Sequence, residues 1–161
     1  MIHRYLAYGQ WANRLMHDAL AQVPQAVLEA PQPVVFGSIL RTAHHILAMA
    51  QVWQAHLLGR EHGHATRSPQ VCLPLQEIAE QQARIDQWAM DYAAAISPEA
   101  LGELVPFTFI GGPDAAMHRA DMLMHGVNHA TYHRGHIWAM LNAAGHGMPA
   151  SDMPVFLALK G

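Results

Sequence analysis

Apolar residues recur at three-and-four spacing through four long stretches of this chain, and that pattern leaves little room for any fold but packed helices. In the first stretch, about Ile2 to Val23, the series is Tyr5, Tyr8, Ala12, Leu15, Met16, Ala19 and Val23, and Pro24 ends it. A Pro-rich connection with Pro24, Pro31 and Pro33 follows. The second stretch runs from about Gly37 to Leu58. Ser38 is placed to cap it, Ile39, Leu40, Ala43, Ile46, Leu47 and Ala50 form its stripe, and Gly59 closes it. The third runs from near Pro74 to near Ile96, with Leu75, Ile78, Gln82, Ile85, Ala89, Tyr92 and Ile96 as a bundle-type seam broken at Ser97-Pro98. The last covers about Ala115 to Ala144, with Gly145 past its end.

Between these stretches, Arg60 to Gln70 reads as a polar loop. Val105 to Ile110, followed by Gly111-Gly112, predicts a short strand or hairpin before the last helix. The tail carries Pro149 and Pro154, then Val155-Phe156-Leu157, an apolar run expected to dock on the bundle. No internal repeat or linker interrupts the pattern. The expectation is a single all-α domain spanning 1–161, a four-helix bundle with one long connection.

Composition narrows the function classes. With 52% hydrophobic and 13% charged residues the chain is expected to fold around a real core. A net charge of −3 offers no basic footprint for nucleic acid. One cysteine, Cys72, excludes a disulfide framework and a Cys-rich zinc site. Apolar runs fall far short of the ~20 residues needed to span a bilayer. His3, Arg4 and Gln10 interrupt any secretory signal, so a cytoplasmic protein is expected.

Thirteen histidines are many for such a chain, and they concentrate between His118 and His146. His129 and His133 lie four apart, on one face of a helix and about one turn from each other. Two such imidazoles can share a transition metal; the bland alternative is a pair of hydrogen-bonded helix histidines. His125 extends the stripe, but a helix drifts ~80° over eight residues, so His125 reads as lying beside a metal rather than on it. A third ligand then comes from another helix. The second helix offers His44 and His45, about 100° apart around the axis. His44 lies near Leu40 and Leu47 on the apolar stripe and His45 at its margin, and periodicity does not choose between them.

The remaining histidines carry no special spacing: His56, His62, His64 and His146 fall at helix ends or in loops, where imidazoles are usually solvated. Trp11, Trp53, Trp88 and Trp138 read as core packing. Cys72, at a loop edge, has no neighbour that would activate it. Arg134 could pair with a carboxylate across the bundle or lie on the surface. Gly135, at up to ~1 kcal/mol against Ala in a helix, suits a close approach by a neighbour.

At three places the chain resembles the DinB/YfiT-like family of small four-helix-bundle metalloproteins. Tyr8-x-x-Trp11-Ala12-Asn13 is similar to that family's first helix. Phe36 to Leu47, with Trp53 beyond, resembles its first ligand helix, where the metal-binding histidine lies three residues after a threonine and eight before a tryptophan. His125 to His136, H-G-V-N-H-A-T-Y-H-R-G-H, is similar to the family signature N-H-x-x-x-H-R-G-Q, with His136 in place of the Gln. The resemblance selects His45 over His44 and implies a divalent metal such as Zn, Ni or Fe on His45, His129 and His133. Better-understood relatives use low-molecular-weight thiols such as bacillithiol or mycothiol, as S-transferases or a maleylpyruvate isomerase.

The expected function is therefore a metal-dependent enzyme that activates a low-molecular-weight thiol for transfer to an electrophilic small molecule. Its rivals are a metal-dependent hydrolase and a non-catalytic bundle stabilised by metal. Neither nucleic acid nor a membrane is an expected partner. Apolar residues on several helical faces, and the pairing of relatives, predict a homodimer.

Overall fold

The computed structural model describes residues 1–69 and 71–159. Gln70, the last residue of the predicted polar loop, and Lys160 and Gly161, where the expected single domain would end, lie outside the described residues. The order is α1 (Ile2–Leu20), α2 (Gln25–Glu29), α3 (Ile39–Leu57), α4 (Leu75–Ala95), α5 (Pro98–Leu101), β1 (Leu104–Thr108), β2 (Asp114–His118), α6 (Arg119–Ala143) and α7 (Met153–Ala158). The four long helices form the bundle: α1 packs on α4 and α6, and α3 packs on the same two. Among the described residues no helix is long and apolar enough to cross a membrane.

Local chemistry sets most of the boundaries. Ser38 caps α3, its Oγ accepting from the Arg41 backbone N–H at 3.2 Å. Gly59, at φ +63°, turns the chain away after α3. Ser97 caps the short α5 in the same way as Ser38, through the Ala100 N–H.

The start of the last long helix differs from the sequence expectation. Residues Asp114–His118 were expected to be helical from Ala115 onward, but they pair antiparallel with Leu104–Thr108, from Leu104 opposite His118 to Thr108 opposite Asp114. Cross-strand pairing and burial of Val105 and Phe107 outweigh the helical propensity of Ala115, Ala116 and Met117. Arg119 fixes the junction: its guanidinium donates to the carbonyls of Leu57 and Ala100, to the Tyr92 hydroxyl and to Glu103. The predicted strand or hairpin is thus a complete hairpin, and α6 begins at its end.

Two large apolar clusters fill the bundle, beside a small one of Ala48, Met49 and Val52. Met16, Leu20, Ile46, Ile78, Ile137 and Leu141 belong to one. Leu6, Ala12, Met122, Val127 and Phe107 belong to the other, which also takes in Phe156 of the tail, as the apolar run there predicted. Trp138 departs from the expectation of core packing. It is 49% exposed, whereas Trp11, Trp53 and Trp88 are partly buried against the second cluster.

A polar network crosses this interior. Arg134 is 2% exposed, so it is not a surface arginine, and it is linked to the Asp86 carboxylate across the bundle through Asn13. It donates to Asn13 Oδ1 at 2.8 Å and Thr131 Oγ1 at 2.7 Å. Asn13 Nδ2 in turn donates to the Asp86 carboxylate at 2.9 Å, and Gln82 donates to the same group at 2.8 Å. Burial pushes the Asp86 carboxyl up, against these hydrogen bonds and the Arg134 charge. Gly135 is not at a close approach, since a Cβ there would meet nothing within 4 Å. The tight helical glycine is Gly9, where a Cβ would lie 2.9 Å from Val127 Cγ2.

Gly9→Ala tests that contact. Helix propensity alone would stabilise the variant by up to ~1 kcal/mol. Crowding a buried, β-branched neighbour costs about 1–3 kcal/mol. The net expectation is a loss of about 1 kcal/mol in urea unfolding; a variant more stable than the parent would contradict the packing of α1 on α6.

Candidate metal centre

The second and last long helices bring the three histidines together. Nε2 of His45, on α3, lies 3.2 Å from Nε2 of His129 and 3.2 Å from Nε2 of His133, both on α6, and the latter two are 3.1 Å apart. His44, one residue away, is also buried but is not in the cluster; its Nδ1 has no hydrogen-bond partner among the described residues. The cluster holds no carboxylate, no sulfur and no fourth donor among the described residues.

The His45 tautomer follows from its partner. Nδ1 lies 2.6 Å from the carbonyl oxygen of Arg67, which can only accept, so Nδ1 carries the proton and Nε2 presents its lone pair to the cluster. The loop that supplies this carbonyl is tied to the bundle. Arg41 donates to the Phe36 carbonyl at 3.1 Å and to Ser68 Oγ at 3.4 Å. Phe36 stacks on His45 with ring centroids 3.9 Å apart, shielding one face of the imidazole.

Burial, and then mutual repulsion, keeps these rings neutral. His129 is lowered to about 3 and His133 to about 4, in both cases by desolvation first and by neighbouring imidazoles second. His45 is lowered by desolvation, partly opposed by its hydrogen bond to Arg67.

Three neutral imidazoles in one triangle conflict. His45 brings a lone pair, and whichever tautomers His129 and His133 adopt, the three nitrogens cannot all pair: either two N–H groups compete for one acceptor or lone pairs face one another. A cation accepting all three lone pairs removes the conflict. Zinc–imidazole bonds of about 2.0–2.1 Å separate donors by about 3.3 Å at tetrahedral angles and about 2.9 Å at right angles. The observed edges, 3.1–3.2 Å, fall between these values. The donor set therefore fits a divalent transition metal, and imidazole nitrogen alone suits zinc, nickel, copper and iron.

All three histidines line a cleft of about 500 Å³. Phe36 and Val35 form one wall, Trp53 and His56 another, and Phe107 to Ile110, at the end of β1 and into its turn, a third. His125 and His136 also face this space. The His125 ring stands 5.7 Å from His129, and the His136 ring 5.4 Å from His133. Neither joins the cluster.

The family model described as "DinB family" matches residues 1–160. This chain belongs to the DinB family. It is 26% identical over 159 residues to Protein DinB of Bacillus subtilis (strain 168), covering 93% of this chain and 90% of that one. A crystal structure of a DinB-like protein from Bacillus cereus ATCC 10987 matches with a TM-score of 0.70 at 19% identity, over 89% of this chain and 91% of that one, which shows a common fold.

Sequence reasoning did not find the cleft walls or the polar network behind the centre. The burial of His17 was equally unforeseen; both its ring nitrogens lack partners among the described residues, and desolvation lowers it to about 4. A signal for the network existed, because Gln82 occupies a seam position of α4 and Asp86 follows four residues later.

Two outcomes follow if the cluster binds metal. His45→Ala, His129→Ala and His133→Ala should each fall below roughly 0.1 metal per chain by elemental analysis, while His44→Ala stays near one. Stoichiometric metal in His45→Ala would reject the assignment. The pH dependence has a definite sign. His17, His129 and His133 have folded values below the ordinary 6.5, so between 6.5 and about 3–4 the unfolded chain binds protons that the folded chain does not. Stability contributed by these groups is complete above 6.5 and falls as pH drops through that window. Metal should persist at pH 6 and be lost toward pH 4, read by titration with a chromogenic chelator.

Proposed function

We propose that this chain is a metal-dependent enzyme that activates a low-molecular-weight thiol for transfer to an electrophilic small molecule. One observation carries the reading: three neutral imidazole nitrogens converge at the wall of an open cleft, with no fourth protein donor among the described residues. A structural site is usually closed by four protein ligands, whereas a catalytic site keeps an open position.

In this reading His45, His129 and His133 hold the ion. When bound, a divalent transition metal supplies the Lewis acidity that makes a coordinated thiol a thiolate at neutral pH. The chain's own residues do the rest. The Arg67 carbonyl holds His45 in the tautomer that aims Nε2 into the cleft. Phe36 keeps water from the open face of that ring. His125, its pKa lowered by desolvation, stands beside His129 at the cleft wall and offers a ring nitrogen close to the centre. Trp53, Phe107 and Tyr132 bound the space in which thiol and electrophile meet.

Hydrolysis, the rival chemistry, is served best by a carboxylate beside the histidines to accept a proton from water. Among the described residues lining the cleft there is none. Cys72 is not the nucleophile in this scheme: it packs beside the first apolar cluster, away from the cleft, and burial pushes its thiol up.

Cobalt substitution tests the proposal. A low-molecular-weight thiol should add sulfur-to-metal charge-transfer absorption to the cobalt protein, and His133→Ala should abolish it. Cys72→Ser should leave both the spectrum and any transfer activity intact. A spectrum indifferent to every thiol tried would overturn thiol transfer and favour a structural metal or hydrolysis.

We also propose that two copies pair. Beyond Asp121 in its first turn, the outward face of α6, with Met124, Asn128, Tyr132, Gly135 and Trp138, bears no charged side chain. That composition suits burial against a second copy better than lasting exposure. Light scattering at micromolar concentration should give twice the chain mass of 17.7 kDa; a monomer mass would sink the idea.

A further inference from the structure

The cleft beside the three histidines has an uneven electrostatic lining. Among the described residues that line it, Arg67 is the only arginine or lysine, and there is no aspartate or glutamate. Most of the remaining wall is aromatic or aliphatic, including Phe36, Trp53, Phe107, Phe109 and Ile110. The guanidinium of Arg67 makes no hydrogen bond or ion pair with any described residue. In this it contrasts with Arg119, paired with Glu103, and Arg134, buried against Asn13.

The backbone under Arg67 is nevertheless held. Its carbonyl accepts from His45 Nδ1 at 2.6 Å. On one side Thr66 Oγ1 donates to the Ser68 carbonyl at 2.7 Å, and on the other Ser68 Oγ accepts from Arg41. The held main chain thus brings an exposed, unengaged guanidinium to the rim of the cleft, where it is free to receive an anion. Low-dielectric walls strengthen the field of such a charge within the cleft. Its planar fork matches a carboxylate in bidentate geometry.

We infer that Arg67 recognises a carboxylate on the small molecule that enters this cleft, and that the ligands of the site are carboxylic acids with an apolar or aromatic body. The inference rests on the reading of the cleft as a substrate site. The carboxylate belongs either to the thiol cosubstrate or to its electrophilic partner, and the chemistry at Arg67 is the same for both.

Two acid–amide pairs distinguish these sources: 3-phenylpropionate against 3-phenylpropanamide, and 3-mercaptopropionate against 3-mercaptopropanamide. Binding is measured by calorimetry on the metal-loaded protein at low salt. In at least one pair the acid should bind roughly ten-fold more tightly than the amide, the size expected for a charge-assisted bidentate contact that water still reaches. A preference in the phenyl pair places the carboxylate on the electrophile; a preference confined to the mercapto pair places it on the thiol. Arg67→Gln should erase the preference, and Arg67→Lys should keep part of it, having charge without the fork. Metal content should be unchanged in both variants, because His45 is held by the backbone carbonyl.

Equal binding of acid and amide in both pairs would overturn the inference. So would a preference that survives in Arg67→Gln, since the carboxylate would then be held by the metal or the imidazoles. Metal analysis on the same samples separates the two failures. A wild-type protein that binds no metal overturns the metalloenzyme reading, while the acid–amide comparison still decides the role of Arg67.

Discussion

A guanidinium is costly to bury unless hydrogen bonds are supplied, and the two terminal nitrogens of Arg134 find theirs, while Nε has none among the described residues, in this orientation of α6. Its donors reach Asn13 on α1, and through Asn13 the carboxylate of Asp86 on α4. Rotating α6 about its axis would strand the charge. Arg134 follows His133 directly, so fixing the arginine toward α1 and α4 fixes His133, and with it His129 one turn back, toward α3. The Trp-Ala-Asn motif of the first helix and the His-Arg-Gly motif of the last are thus two ends of one device. Among the described residues neither Asn13 nor Asp86 hydrogen-bonds to the imidazole cluster, but both set the direction from which two of its members arrive.

The third member is set differently. His45 depends on a carbonyl from the loop after α3, and that loop depends on Arg41, one turn before His45 on the same helix. The helix therefore carries both the ligand and the residue that secures the ligand's orienting partner. Burial, and repulsion between neighbouring rings, then keeps the cluster unprotonated at neutral pH, and this neutrality suits it to a metal better than to proton storage.

Much of this was legible in the sequence, because it rests on periodicity. Four helices follow from apolar spacing, and His129 and His133 share a face because four residues make about one turn. Other features were illegible for physical reasons. His44 and His45 are both buried, and what separates them is the direction of α6, a tertiary fact that no local spacing encodes. Ala115 to Met117 have good helical propensity, and only a partner strand ten or so residues away makes them extended. Trp138 looks like core from its helical phase, yet that phase points outward once Arg134 has set the rotation of α6. Arg67 belongs to a polar loop without periodicity, and its importance comes from a backbone atom that every residue type possesses.

That last feature divides the molecule into a part that must stay and a part that can change. The imidazoles stand on long helices locked by the interior of the bundle, whereas much of the cleft wall comes from connections: Val35 and Phe36 before α3, the loop at Arg67, and the hairpin at Phe107. His45 asks of residue 67 only a carbonyl, so the side chain there is free to vary without disturbing the ring it orients. A chain built this way can exchange one substrate for another by altering loops alone, and relatives with the same three imidazoles can differ in what they admit.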